Sequence, residues 1–506
     1  MKRVDIVLKA LTPVAVGGRN SDPNYHLGMS SENDRFLIPA SVIKGAIHER
    51  VRGMEHLLGA ELALQITGKP QEKGEEKPSA SAMHATDFSS DIPVSMGQPR
   101  NRIRMNRKTR TVEAGGLFSM MTAPAGSEFR GSLFFRSDVE EESVQKVIRA
   151  LRGFPLVMGS GKTAGFGSME VVRAERKAEE SQELGVGFYR LILKPLTPFV
   201  VSPFGHETLE KKYFLPSLPT VSGRAIPATT PFSRSTPPLP STGLPGVFSP
   251  STLQKEKYGD ENISFEVLRE FVYGYEKLQP SLLQRKGKRL EPFGGFVELG
   301  PEGFGKRVPV QKVFSIHVQR NPRTKIVQTF WVQQAHKPVA LSCLVNVAQP
   351  FPLERTLVLG GARGKGYGVM EVQSIAPYVD WESWKGRIES FSRFMEKELG
   401  NKGLFVPLLL TSPLVLGAGE NLLEGFSRKF ILGRTGSERY FDPGVQKVAV
   451  QEAFEPGSVV VVQTEYSMEK ALETLKLAKT RGLGNGVENG WGDFEVYPMR
   501  EGGDRE

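Results

Sequence analysis

Three apolar, β-rich segments recur along the chain, at residues 5–18, 189–205 and 404–419. Each passes through Thr-Pro or Ser-Pro into a second apolar stretch and ends at glycine. A glycine-rich loop that leads into a short strand follows each of them, at residues 159–172, 360–372 and 482–496. The order of strand, helix, glycine-rich loop and strand therefore returns three times, which predicts an internal repeat of three related units.

The first unit has the clearest helical pattern. We predict a first helix after Ser41 as its N-cap, with Gly59 as its stop. Its apolar positions recur at helical spacing: Ile43, Ile47, Val51, Met54 and Leu58. A second helix is predicted from Asp138, with Val144, Ile148 and Leu151 facing inward, and strands at 103–107 and 132–136 lie between the two helices. This β-α-β-β-α-β order is the ferredoxin-like arrangement.

The other two units depart from this pattern. The second contains an insertion at 227–289 whose first part is rich in Pro, Ser and Thr, and we predict loop there because proline cannot donate to a β-ladder. A helix over 380–399 carries an apolar stripe, which we interpret as a packing surface. The third unit keeps only its second helix, at 467–478. The predicted domains are 1–176, 186–375 and 376–506, with residues 177–185 as the first linker.

Composition narrows the class of protein. With 506 residues the chain is too long for one hydrophobic core. It has 39% hydrophobic and 24% charged residues, as soluble globular proteins do. Its single cysteine, Cys343, excludes an intramolecular disulfide framework and a cysteine-rich zinc site. Since neither a membrane helix nor a signal peptide is evident, we expect a cytoplasmic protein without a membrane partner.

A net charge of +10 favours a polyanionic partner. The basic residues are densest within residues 100–110, which contain no acid: Arg100, Arg102, Arg104, Arg107, Lys108 and Arg110. We predict that this segment contacts phosphate groups, the alternative being a solvated strand face.

The glycine-rich loops do not fit two familiar motifs. The string GSGKT at 159–163 has Leu156 where a P-loop needs its first glycine, and a helix precedes it where a strand should. Residues 365–368 begin like the motif of an RRM, but Val369 and Val372 occupy positions that need aromatic rings. We predict instead that glycine lets backbone amides approach phosphate. The alternative is a tight turn before an edge strand.

With these residues in view, the chain resembles the RAMP superfamily of CRISPR systems. The first unit carries four pieces of the family pattern in order: residues 37–45 (LIPASVIKG), 84–87 (HATD), 103–109 (IRMNRKT) with 116–118 (GLF), and the glycine loop. The second unit repeats the later pieces at 316–324. The third, with residues 455–458 and 490–492, resembles the terminal half of a subunit that caps the five-prime repeat tag of the guide.

The resemblance implies an α+β fold of tandem ferredoxin-like (RRM-like) RAMP domains with β-hairpin thumbs and loop insertions. It also implies a fused subunit of a type III (type III-D-like) effector complex. The expected partners are CRISPR guide RNA, target RNA and other effector subunits, including a large polymerase-like one. The residues expected to contact RNA are Lys44, Arg102, Arg104, Arg107, Lys108, Gly159, Gly161, Lys162, Gly165, Arg320, Arg323, Gly361, Arg363, Lys365, Arg481 and Gly482.

Some members of the family cut target RNA with a divalent metal and an aspartate in the loop after the first strand. Here Asp22 is the best-placed carboxylate and the expected ligand of Mg²⁺, and Asp34 is the second candidate. The alternative is that Asp22 only caps the turn at Pro23. His26 is a further candidate, as a base or an RNA contact. The corresponding loop of the second unit, 204–218, has no aspartate, so we expect this unit to bind without cutting.

Two other functions stay open. A guide-processing endonuclease of the same superfamily would use a histidine for metal-free attack by the 2′-hydroxyl, and the nearest candidate pair is Tyr25 and His26. A purely structural scaffold would not cut RNA at all.

Overall fold

The computed structural model describes residues 1–17, 25, 28–68, 80–106, 108–178, 181–201, 214–215, 232–242, 244–257, 265–276, 284–285, 288–300, 303–320, 327–417, 422–442 and 447–498. No helix in these ranges is long and apolar enough to cross a membrane.

The first unit forms one curled antiparallel sheet with helices on one face. In chain order its elements are β1 (Lys2–Ala10), β2 (Ser31–Glu32), β3 (Arg35–Ile38), α1 (Ala40–Gly53), α2 (Glu55–Leu58), α3 (Ala60–Thr67), β4 (Met83–Ala85), β5 (Phe88–Pro93), β6 (Gln98–Met105), β7 (Val112–Thr122), β8 (Glu128–Phe135), α4 (Glu141–Gly153), β9 (Leu156–Val157) and β10 (Ser168–Lys177). The strands run β2-β3-β5-β8-β1-β10-β9, and β4 also pairs with β8. Alternate residues of β1, including Ile6 and Leu8, enter the core with α1 and α4.

The first helix differs from its prediction at both ends. It begins at Ala40 after Pro39, so Ser41 lies inside the first turn and is not the N-cap. The amide of Ala40 instead donates to the carboxylate of Asp87 at 2.8 Å, a cap that comes from a different part of the sequence. The helix also ends at Gly53, and Gly59 separates α2 from α3. The predicted inward positions of α4 are confirmed, although that helix begins at Glu141.

The second unit and its insertion are mostly strands. Their elements are β11 (Gln182–Leu184), β12 (Gly187–Pro195), β13 (Phe214–Leu215), β14 (Arg234–Ser235), β15 (Leu239–Ser241), β16 (Gly246–Phe248), β17 (Leu253–Glu256), β18 (Phe265–Glu266), α5 (Leu268–Glu276), β19 (Gln284–Arg285), β20 (Lys288–Pro292), β21 (Phe296–Gly300), β22 (Gly303–Val308), β23 (Val310–Arg320), β24 (Val327–Pro338), β25 (Ala340–Val347), β26 (Phe351–Leu353), β27 (Thr356–Val358) and β28 (Val369–Pro377). The main sheet runs β14-β25-β12-β28-β27, with β15 also on β25.

Three predictions for the second unit are wrong in part. Directly before its glycine loop, in the described residues 340–359, β26 and β27 take the place of the expected helix. β26 pairs with β11, which lies inside the predicted linker. The proline-rich segment is not all loop, because β14 and β15 fall within it. These strands are short, and β14 and β15 lie at the edge of the sheet on β25, where proline is tolerated.

The third unit is the shortest. After α6 (Trp384–Leu399) come β29 (Leu404–Leu410), β30 (Phe426–Leu432), β31 (Thr435–Asp442), β32 (Lys447–Phe454), β33 (Val459–Thr464), α7 (Met468–Arg481) and β34 (Phe494–Val496), with a sheet order of β30-β33-β29-β34. The predicted packing role of α6 is confirmed, because Trp384, Ile388, Phe391 and Met395 are all fully buried.

Within the described residues, the three main sheets share one strand order. In each main sheet the first strand in chain order, β1, β12 or β29, is flanked on one side by that sheet's last strand and on the other by the strand after the unit's hairpin, always antiparallel. A long hairpin precedes that flanking strand each time: β6–β7, β23–β24 and β31–β32. The repeat in the sequence thus corresponds to a repeat in topology.

The insertion covers one face of the third sheet. Phe405 and Leu409 of β29 share a core with Leu268 of the insertion. Val406 and Leu408, which alternate with them, face a second core that includes α7. Both faces of this sheet are therefore buried within the chain, and neither is a free platform on which bases could stack.

Candidate nucleic-acid interface

The three glycine-rich loops fold alike, down to individual hydrogen bonds. In the first, the amides of Met158, Ser160 and Gly167 donate to the carbonyls of Gly167, Ala15 and Pro13 at 2.8–2.9 Å. The same three bonds recur in the second loop from Leu359, Gly361 and Gly368, and in the third from Leu483, Asn485 and Gly492. Each loop contains a short 3₁₀ turn between two residues in the left-handed conformation.

The geometry of these loops explains why they need glycine, since the space is too crowded for a side chain and the backbone is left-handed at several positions. A Cβ on Gly167 would lie 1.8 Å from the carbonyl oxygen of Met158, and both residues belong to a hydrogen-bonded turn that cannot move apart. Of the glycines predicted to contact RNA, the amides of Gly165, Gly361 and Gly482 already donate to backbone carbonyls. The tight-turn interpretation therefore accounts for these three amides, and contact with phosphate stays a prediction for Gly159 and Gly161.

The arginine-rich segment forms the hairpin β6–β7, which leans on the first glycine loop. The guanidinium of Arg102 is half-buried and lies 5.7 Å from the ring centre of Phe118 and 5.9 Å from that of Phe166 in the loop. Such stacking leaves the charge in place and fixes its direction. Arg100 is exposed, and so is Lys108 at the hairpin tip. Arg107 and the side chain of Arg104 lie outside the described part of the structure.

The opposite side of this hairpin is apolar and exposed. Ile103 pairs across the strands with Leu117, and Met105 with Val112, and each is 45–60% exposed. The hairpin therefore presents basic residues on one side and bare aliphatic groups on the other.

The remaining predicted contacts are spread over the three units. Lys162 lies 3.6 Å from Glu49 of α1, and both side chains are largely exposed. Arg481 is the exposed last residue of α7, directly before Gly482. Burial lowers the pKa of Lys365. Arg320 is the last residue of β23, and its side chain lies outside the described part of the structure. The whole of Arg323 also lies outside it.

Lys44 and Arg363 come together although they are far apart in sequence. The second glycine loop packs on the first turn of α1, where a Cβ on Gly366 would lie 2.5 Å from that of Ala40. Lys44, one turn further along α1, and Arg363 in the loop line the same cavity between the first and second units. His84 and Arg136, which sequence reasoning did not select, line it too. The HATD match at 84–87 was the one signal that pointed to this strand.

The candidate catalytic residues are not brought together. Asp22 and His26 lie outside the described residues. Asp34 is exposed at the tip of the β2–β3 turn, in the left-handed conformation with φ of 57°. Among the described residues no group of three or more His, Cys, Asp or Glu side chains could hold a metal ion. Among the described residues, Asp34 thus has no neighbouring ligands with which to bind Mg²⁺.

Comparison with known proteins identifies the first unit. Residues 7–170 match the model of the RAMP superfamily. The match covers most of the first unit and confirms there the resemblance that its motifs indicated. No curated protein matches the chain significantly.

Solved structures give weaker similarities. A chain of the type III-B Cmr-beta complex in its apo state is 16% identical with a TM-score of 0.28, over 33% of this chain and 96% of that one. A chain of the same complex bound to cognate target RNA is 15% identical with a TM-score of 0.27, over 33% of this chain and 96% of that one. A chain of a type IV-B CRISPR complex is 15% identical with a TM-score of 0.25, over 35% of this chain and 90% of that one.

Proposed function

We propose that this protein is an RNA-binding subunit of a CRISPR effector ribonucleoprotein of type III, in which it holds guide RNA and helps to position target RNA. The observation that carries the proposal is the RAMP match of the first unit together with the same strand order and glycine-loop hydrogen bonds in all three units. On this proposal the chain is a tandem of ferredoxin-like RAMP domains, of which the third is abbreviated. Other effector subunits, including a large polymerase-like one, are its proposed protein partners.

The charge of the chain supports RNA as the ligand. A net charge of +10 attracts a polyanion, and the exposed basic residues of the β6–β7 hairpin lie beside the first glycine loop. The hairpin's exposed aliphatic side supports a role as a thumb, because apolar side chains can contact unstacked bases. The buried faces of the third sheet favour a structural role for that unit.

Replacing Arg100 and Lys108 by alanine should weaken binding of single-stranded RNA about tenfold at low salt, equally for all sequences. Both side chains are exposed, so the fold should not change. The slope of log K against log salt should also fall by about 0.7 for each phosphate contact that is lost. Fluorescence anisotropy with labelled RNAs of different sequence measures both effects.

The matched control is the double replacement of Lys146 and Arg149 by alanine. These exposed residues lie on α4, away from the hairpin, and removing them changes the net charge equally. Equal weakening by both variants, or a loss that depends on RNA sequence, would contradict phosphate contact by the hairpin.

Metal-dependent cleavage of target RNA by the first unit is the finer proposal, and Asp22 is its candidate residue. In the assembled complex with guide RNA, Asp22→Asn should abolish cleavage while RNA binding is retained. Asp34→Asn should leave cleavage unchanged, because no described group of His, Cys, Asp or Glu side chains that could hold a metal includes Asp34, and asparagine tolerates its left-handed backbone. Cleavage of labelled target RNA, with and without EDTA, provides the measurement.

The alternatives predict other outcomes in the same assay. Cleavage that survives EDTA and Asp22→Asn but is lost in His26→Ala would identify metal-free processing of the guide. A complex that binds target and never cuts, with wild-type residues throughout, would identify a scaffold.

A further inference from the structure

A cavity of about 480 Å³ lies where the second unit packs against the first. The first unit contributes Lys44 of α1, His84 of β4 and Arg136 after β8. The second contributes β27 and Arg363 of its glycine loop. The lining therefore combines basic side chains from two units with the apolar side chains of Leu357 and Val358.

Lys44 is the most unusual residue of this cavity. Its side chain is only 2% exposed, and its Nζ atom has no hydrogen-bond partner within the described chain. Burial lowers its pKa to about 8. An ammonium group that is removed from water without a partner costs several kcal/mol, so buried lysines are normally paired with an anion.

The acids of the cavity do not supply that anion. Asp138 accepts from Arg136 at 3.0 and 2.7 Å, and Glu354 lies 2.8 Å from the amino group of Met1. Each carboxylate is thus already paired with another cation. Among the described residues that line the cavity, no acid is left to compensate the charges of Lys44 and Arg363.

His84 reports the same positive environment. Its pKa is lowered to about 3, first by burial and then by the charges of Lys44, Arg363 and Arg136, while a backbone hydrogen bond with Arg363 acts in the opposite direction. The imidazole is therefore neutral, and its buried Nδ1 atom has no partner within the described chain. It can share a hydrogen bond with a ligand without adding charge.

We infer that this cavity binds a phosphate group of RNA, with Lys44 and Arg363 as its cationic partners and His84 as a hydrogen-bond partner. Two cations from different units suit a tetrahedral anion, which has oxygens to offer in both directions. The cavity has room for a phosphodiester together with part of a ribose. RNA as the source rests on the proposed function, whereas a free phosphate would use the same contacts.

The inference predicts that binding is linked to a proton. The free site loses its proton from Lys44 above pH of about 8, whereas a bound phosphate keeps Lys44 charged. Among the described residues, the charged or titratable groups around Lys44 are the amino group of Met1, His84, Arg136, Asp138, Glu354 and Arg363, and on its own helix His48 and Arg52. The part of the RNA affinity that depends on Lys44 should therefore fall above pH 8, well below the ordinary lysine pKa of about 10.4.

Lys44→Met tests the inference with the full chain, because methionine fills a similar volume without charge. Inorganic phosphate, compared with chloride at equal ionic strength, should raise the Tm of the wild type and of the control Lys146→Met but not of Lys44→Met. Lys44→Met should bind single-stranded RNA at least about tenfold more weakly than the wild type. Its RNA affinity should also no longer fall above pH 8.

The outcomes separate this inference from the proposed function. A phosphate-induced Tm shift and an RNA affinity that both survive Lys44→Met would overturn the inference and leave RNA binding intact. A phosphate shift that depends on Lys44 beside unchanged RNA affinity would assign the cavity to a free anion and overturn RNA as the source. A wild type that does not bind RNA would overturn the proposed function, while the phosphate titration would still test the cavity.

Discussion

Replacing Lys479 by methionine should reduce the free energy of unfolding by about 3–5 kcal/mol, the usual cost of leaving buried charges without their partner. The side chain of Lys479 is completely buried, 3.0 Å from Asp493 and 2.9 Å from Glu495. Both carboxylates are buried as well, with side-chain exposures of 5% and 6%. Methionine would fill the space but leave two carboxylates facing each other in the interior.

The cost is large because this cluster joins separate parts of the chain. Glu495 of β34 also accepts from the hydroxyl of Tyr378, which follows the second unit, at 2.7 Å. The indole of Trp384 in α6 donates to it at 3.3 Å. Arg234 of the second unit donates to the carbonyls of Lys479 and Thr480 at the end of α7, both at 3.0 Å. Loss of the Lys479 side chain should therefore loosen the contacts of Glu495 with Tyr378 and α6, whereas the bonds from Arg234 to backbone carbonyls remain.

The pH dependence of this loss identifies its cause. Burial alone would raise the pKa of Glu495, but Lys479 and hydrogen bonds from Tyr378 and Lys479 hold it below the ordinary value. A carboxyl group with a lowered pKa stabilises the fold above its unfolded pKa of about 4.3, and this contribution is lost as the pH falls through the folded value. In Lys479→Met the buried carboxyl group of Glu495 loses this cation and takes up a proton more readily, so the difference from the wild type should be largest near pH 7 and shrink toward pH 5.

Chemical denaturation at pH 7 and pH 5, followed by tryptophan fluorescence, measures this prediction. Lys146→Met is the control, because its pair with Glu142 is an exposed i,i+4 contact worth about 0.3–0.5 kcal/mol. A loss for Lys479→Met below about 1 kcal/mol, or one that does not change with pH, would contradict a charge-compensating role for Lys479.

The apolar, β-rich character of residues 5–18, 189–205 and 404–419 was enough to predict the strand that opens each repeat. The helical spacing of Val144, Ile148 and Leu151 correctly gave the buried face of α4. These positions are determined by local periodicity, which a sequence displays directly. The three glycine loops were found for a similar reason, since a positive φ and a close backbone contact both demand glycine locally.

Features that depend on distant contacts could not be read in this way. Asp87 caps α1 across 47 positions of sequence, so Ser41 was the best local candidate and was wrong. Lys479 looks like an ordinary polar residue at the end of a helix until β34 places two carboxylates beside it. The role of the insertion in covering the third sheet likewise has no local signature, because both surfaces are simply apolar.

The candidate site also combines features that the local sequence displays with features that depend on distant contacts. Charge density drew attention to the segment that forms the β6–β7 hairpin, but stacking of Arg102 between Phe118 and Phe166 requires the hairpin to fold back onto the loop. Lys44 was selected through a family pattern, whereas its burial opposite Arg363 follows from packing between units. His84 had no charge pattern to mark it.

Gly368→Ala should cost about 3 kcal/mol or more, because it combines a left-handed backbone, worth about 1–2 kcal/mol for a residue with a Cβ, with a direct clash. Gly368 has a φ of 84°, and its Cβ would lie 1.9 Å from the carbonyl oxygen of Leu359. The turn cannot open to relieve this contact, since the amide of Leu359 donates to the carbonyl of Gly368 at 2.8 Å. The amide of Gly368 in turn donates to the carbonyl of Pro198 at 2.9 Å.

The control is Gly386→Ala on α6, where an added Cβ meets nothing within 4 Å and the backbone is helical. That variant should be more stable than the wild type by about 0.5–1 kcal/mol, because alanine is the better helix former. Opposite signs for two identical substitutions would show that position in the loop, and not loss of glycine itself, sets the effect. If Gly368→Ala kept its full stability and lost only RNA affinity, the glycine would serve the ligand directly and the tight-turn explanation of these loops would be wrong.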